Sequence, residues 1–260
     1  MQCPKFGGLL LCLALAWAPF AGAASAELAD TIAAIKPAIL GVGTLHPTRS
    51  PRAQLLGTAF AVVDGRHAIT NAHVVAQLAK PDSKERLVVF VGQGRNPQAR
   101  SATKVAVDTD HDLALLRFEG DALPPLALGN SDAVREGETF AFTGYPIGAV
   151  LGLYAATHRA MVAALTPVVT PKDHSRQLSA ATIARLRDPY MVFQLDATAY
   201  PGSSGSPVYE EDSGRVVAVI NMVFVKGTKE DVLSSPSGIT YAIPARYVRE
   251  LIDRGIGENR

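Results

Sequence analysis

Short apolar runs rich in β-branched and aromatic residues recur along this chain, each closed off by Gly, Pro, Asn or Asp. TAFAVV (58–63), RLVVFV (86–91), TKVAV (103–107), DLALLRF (112–118), ETFAFTG (138–144), YMVFQLDA (190–197) and RVVAVINMVFV (215–225) carry the pattern. Such runs suit strands, and clusters such as PLALGNSDAVREGE between them suit turns. The expectation is an all-β barrel or sandwich. Helical signals are few: 27–36 before Pro37, 179–188, and PARYVRELIDRG near the C-terminus, where Pro244 suits a start, Val248, Leu251 and Ile252 share a face, and Gly255 suits a stop. LPPLALGNSDAVREG (123–137) is the expected seam between two halves of similar size.

The first 26 residues read differently. Lys5 precedes the apolar run GGLLLCLALAWAPF, which gives way to small residues ending in ASA before Glu27. That order is a secretory signal peptide, with cleavage expected after Ala26, and its apolar run falls short of the ~20 residues that span a bilayer. Both cysteines, Cys3 and Cys12, lie inside it, so the exported chain needs no disulfide and no membrane segment remains after cleavage. Lys5 is also the only charge before Glu27, which leaves 24 basic against 24 acidic side chains. A neutral balance argues against a nucleic-acid or anionic-membrane surface. No metal-ligand spacing is present, and no cofactor is expected.

The chemistry-bearing residues fall in one order. His73 follows an apolar strand in AITNAHVV, where an imidazole is fixed yet partly exposed. Asp112 ends the acidic turn DTDHD and immediately precedes the strand LALLRF; Asp108 and Asp110 are read as solvated turn residues. The loop TAYPGSSGSPVYE (198–210) offers three serines. A serine hydroxyl is a poor nucleophile until a base takes its proton and a third group orients that base, and backbone amides of a glycine turn can hold the resulting oxyanion. The order His, Asp, Ser excludes a typical α/β-hydrolase, and GSSGS is not G-x-S-x-G.

Three blocks, GTAFAVVDGRHAITNAHVV, DHDLALLRF and FQLDATAYPGSSGSPV, together resemble the high-temperature-requirement (HtrA) type of serine protease. LGNSDAVREGETFAFTGYPIG, VVAVINMVF and GITYAIPARYVRELI extend the resemblance from about residue 28 to 254. It implies two six-stranded antiparallel β-barrels of the chymotrypsin type, barrel one about 38–128 and barrel two about 135–243, with a short closing helix about 244–254, in a protease domain of 27–260. It also implies a periplasmic or secreted serine endopeptidase acting on polypeptide, with His73 as base then acid, Asp112 as its orienting carboxylate and Ser204 as nucleophile. The amides of Gly202 and Ser204 would form the oxyanion hole.

Where the family usually reads Gly-Asn-Ser-Gly-Gly-Pro, this chain has Ser203 for the asparagine and Ser206 for the second glycine. Thr198 and Tyr200 are the expected pocket residues, and with no carboxylate there the pocket would favour small or medium apolar side chains. The chain ends soon after the closing helix, so the family's peptide-binding PDZ domain is not expected. Segment 154–190 reads as a strand, then a surface insertion with a helical piece. Two alternatives share these residues: a non-catalytic binding or chaperone-like module on the same fold, and an esterase using the same triad.

Overall fold

The computed structural model describes residues 27–76, 84–146, 152–168, 189–221 and 238–257. The expected signal peptide and the helical piece at 179–188 lie outside the described residues. Strands β1 (Ile39–Leu45), β2 (Ala53–Val62), β3 (His67–Thr70), β4 (Arg86–Val91), β5 (Gln98–Asp108) and β6 (Leu113–Phe118) close into one barrel in the order β1-β2-β3-β6-β5-β4. A second closed barrel has the order β10-β11-β12-β9-β8-β7, from β7 (Thr139–Gly144), β8 (Ala156–Pro167), β9 (Met191–Asp196), β10 (Pro207–Tyr209), β11 (Val216–Asn221) and β12 (Ile239–Pro244). Every pairing between these twelve strands is antiparallel. The all-β, two-barrel expectation holds, and closure leaves no strand edge open.

Alternation along the strands sorts the apolar residues into three layers. Leu40, Val42, Ala59, Ala61, Ala114 and Leu116 fill barrel one, while Phe142, Val162, Leu195, Val208 and Ile220 fill barrel two. Their strand neighbours Phe60, Ile69, Leu113 and Leu115 point the other way and meet Tyr145, Tyr209, Val219 and Ile243 in a shared middle layer. Burying each such side chain stabilises by about 1.5–3 kcal/mol, so the barrels are joined by a core and not by a linker.

Helix α1 (Leu28–Ile35), α2 (Ala72–Ala76) and α3 (Ala245–Gly257) complete the described residues, with 3-10 turns at Lys36–Ala38 and Ser131–Ala133. Helix α3 runs past the expected stop at Gly255. A Cβ there would meet the Ala106 methyl at 2.9 Å and Leu115 at 3.0 Å, so this glycine serves close packing of α3 on barrel one and is not a terminator. Among the described residues no helix is long and apolar enough to cross a membrane.

Candidate active site

Pairing of β3 with β6 sets Thr70 opposite Ala114, so the residues just beyond β3 lie beside those just before β6. His73, the second residue of α2, lies just beyond β3, and Asp112 lies just before β6. The Asp112 carbonyl accepts from the Ala72 amide and from Asn71 Nδ2, both at 3.1 Å. Its carboxylate takes the His73 amide on Oδ1 at 2.8 Å and His73 Nδ1 on Oδ2 at 2.6 Å. An ionised carboxylate only accepts, so Nδ1 carries the proton and the neutral ring keeps its lone pair on Nε2. Asp112 holds this position at a φ of +52°, a left-handed conformation that aspartate tolerates better than most residues.

Upstream, Asp108 corrects the reading of DTDHD as a solvated turn: it is 6% exposed. Its Oδ1 accepts the amides of Asp110 and His111 at 3.0 Å, and its Oδ2 takes the His111 ring at 2.9 Å and Arg254 of α3 at 2.5 Å. Burial alone would raise its pKa; the hydrogen bonds from His111 and Arg254, with the charge of His111, outweigh that and hold the carboxyl well below the usual range. The turn delivering Asp112 to His73 is thus built around a buried anion. His111 stacks on Tyr247 of α3 with ring centroids 3.9 Å apart.

The serine loop lies across the barrel boundary. Tyr200 to Ser203 form a turn closed by the Ser203 amide on the Tyr200 carbonyl at 2.9 Å, with Pro201 second and Gly202 third at a φ of +102°. Those features define a type II turn. The Ser206 amide then closes on the Ser203 carbonyl at 3.0 Å, and the Gly205 amide reaches the Ile220 carbonyl at 3.0 Å. Among the described residues no acceptor takes the amides of Gly202 or Ser204. Ser203 and Ser206 are sealed at 1% and 0% exposure, and Ser206 Oγ has no hydrogen-bond partner among the described residues. Ser204 and α2 both border Gly57: a Cβ there would lie 2.9 Å from Val74, next to His73, and 3.0 Å from the Ser204 carbonyl.

Of the expected pocket residues, Thr198 and Tyr200 are half-buried. Flanking Thr198, the Ala199 amide donates to Thr240 Oγ1 at 3.1 Å, and that hydroxyl donates to the Ala197 carbonyl at 2.7 Å. Tyr200 faces His158, ring centroids 6.5 Å apart, and burial pushes the His158 pKa down. Among the described residues no group of three His, Cys, Asp or Glu is arranged to hold a metal.

Residues 57–219, more than half of the chain, match the family described as trypsin-like peptidase domain. The chain belongs to this family. This trypsin-like peptidase domain is similar to a "Probable periplasmic serine endoprotease DegP-like" of Halomonas elongata, 28% identical over 203 residues, covering 76% of this chain and 35% of that protein. A protein of the same description from Chlamydia pneumoniae is 30% identical over 204 residues, covering 78% and 35%. The trypsin-like domain thus spans about a third of the length of these curated relatives. Its fold is that of the solved "HtrA-type protease AlgW with tripeptide", with a TM-score of 0.64 at 23% identity over 90% of this chain and 65% of that one.

Two residues of the trypsin-like domain's site escaped the sequence reading. Asn221, the last residue of β11, donates Nδ2 to Asp112 Oδ2 at 2.9 Å. Its signal was a lone amide closing the apolar run VVAVIN, since a polar group buried in such a strand must find a partner. Thr58 heads TAFAVV and reaches the serine loop from barrel one.

Proposed function

We propose that this trypsin-like domain is an exported serine endopeptidase of the HtrA type, with residues 1–26 as its export signal and polypeptide as its substrate. The observation that carries the reading is the 2.6 Å bond from His73 Nδ1 to Asp112, together with a serine loop whose Gly202 and Ser204 amides are untaken among the described residues. His73 Nε2 takes the Ser204 hydroxyl proton as Ser204 Oγ bonds to the scissile carbonyl carbon, and Asp112 stabilises the imidazolium. The carbonyl oxygen becomes an anion accepted by the amides of Gly202 and Ser204. When it collapses, the C–N bond breaks and the proton passes from His73 to the leaving amine. Water, deprotonated by His73, then releases the acyl group by the same path. Thr198 and Tyr200 line the pocket for the residue before the cleaved bond, which admits small or medium apolar side chains. The relatives' descriptions as periplasmic serine endoproteases support both the reaction and the compartment.

A serine-directed fluorophosphonate tests the assignment on the wild-type protein and Ser204→Ala, with cleavage of an unfolded protein measured beside it. Labelling and cleavage that both vanish in the variant support it. A wild type that labels but cleaves only esters favours the esterase, and one that does neither favours the binding module.

A further inference from the structure

Every polar atom of Thr58 is engaged, and the residue is fully buried in β2 of barrel one. Its amide donates to the Ser204 carbonyl at 2.8 Å and its hydroxyl to the Gly202 carbonyl at 2.7 Å. The same hydroxyl accepts the Tyr145 amide at 3.0 Å, and the Thr58 carbonyl accepts Thr70 Oγ1 at 2.7 Å. Thr58 therefore holds the carbonyls of the two residues whose amides are untaken among the described residues.

A peptide is planar, so its C=O and N–H point in opposite directions. The Gly202–Ser203 peptide is held at both ends, by Thr58 Oγ1 and by the Tyr200 carbonyl; the Ser204–Gly205 peptide is likewise held, by the Thr58 amide and the Ile220 carbonyl. Between them, the Ser203 carbonyl is tied to the Ser206 amide, which turns the Ser204 amide to the other side. His73 and Asp112 ride on barrel one, whereas the loop belongs to barrel two. Thr58 is the residue of barrel one that hydrogen-bonds to the loop on either side of Ser203. Space is tight here: a Cβ on Gly205 would run into the Thr58 carbonyl and lie 2.6 Å from Thr70 Oγ1.

We propose that Thr58 is a positioning residue for the oxyanion hole, holding the serine loop of barrel two in register with the His73–Asp112 pair of barrel one. The proposal rests on the peptidase reading above. It is tested with Thr58→Val, which keeps the shape and removes the hydroxyl, and Thr58→Ser, which keeps the hydroxyl. Misplacement by about 1 Å costs catalysis up to ~10²-fold. The expected result for Thr58→Val is a kcat lower by about 10–10²-fold with KM nearly unchanged, and affinity for a peptide boronate falling in proportion while affinity for a product peptide holds. Thr58→Ser should recover most of the loss. Should Thr58→Val not fold, Thr58→Ala is measured on the same two ligands. Wild-type kcat in the valine or alanine variant, or boronate and product affinities falling together, overturns the proposal. A wild-type protein that neither labels nor cleaves removes the peptidase reading itself, and the proposal with it.

Discussion

Asn221 and His73 meet on one atom: both donate to Asp112 Oδ2, at 2.9 and 2.6 Å. The carboxylate that holds the His73 ring on barrel one is therefore held from barrel two as well. A hydrogen bond to a charged group is worth about 1.5–3 kcal/mol. Asn221→Ala is expected to keep its fold and lose about 10–10²-fold in kcat/KM on a peptide substrate. Asn221→Asp should do no better at pH 7, because a second carboxylate beside Asp112 disfavours both charges.

At Gly202 the direction of an amide depends on the absence of a side chain. A type I turn accepts most residues but turns over the Pro201–Gly202 peptide, and with it the Gly202 amide. Alanine at 202 makes the observed φ of +102° costly and favours that alternative. Losing one oxyanion donor typically costs ~10²–10³ in turnover. Gly202→Ala should show that loss in kcat at nearly unchanged melting temperature; full activity would remove the Gly202 amide from the mechanism.

The departure at Ser206 has a structural counterpart in Gly144. A Cβ on Gly144 would run into Ser206 Oγ and fall 3.1 Å from Ser206 Cβ and 2.9 Å from Thr58 Oγ1. Serine at 206 is accommodated because position 144 is empty. Overpacking costs about 1–3 kcal/mol. Gly144→Ala should destabilise by that much in chemical denaturation, and adding Ser206→Gly should return part of it. A Gly144→Ala protein as stable as wild type would show that the loop yields instead.

Acid should reveal the Asp108 anchor. Its folded pKa lies below the unfolded one, so its contribution is present above the unfolded value of about 4 and is lost as pH falls from there. Asp108→Asn should be about 1–3 kcal/mol less stable than wild type at pH 7, with the gap closing below pH ~4. A gap independent of pH down to 2 would mean that shape, not charge, organises the turn. Because the turn ends at Asp112, the variant should also lose activity.

The strands that read as short apolar runs were legible: RLVVFV is β4 and LALLRF is β6. Strand β1 was not, because ILGVGTL carries two glycines that a propensity reading takes for breaks. Gly43 is there because a Cβ would meet the Phe90 ring at 2.8 Å and the Gln54 backbone still closer. The residues of the proposed triad, His73, Asp112 and Ser204, stood out by identity and order. Thr58, Asn221 and Asp108 did not, because each works through a partner more than 30 residues away, or through burial that adjacent residues do not announce. DTDHD looks solvated until α3 brings Arg254 to it.

The two outer helices cross over. Helix α1 precedes barrel one yet sends Thr31 Oγ1 to the Asp212 carbonyl and Ile35 against Gly214, both on barrel two. Helix α3 follows barrel two yet seats Gly255 on β5 and β6 and Arg254 on Asp108, all on barrel one. Each half is thus latched by a piece of chain continuous with the other. Spreading the halves would tear out both latches at once, so the two barrels resist opening as a hinge.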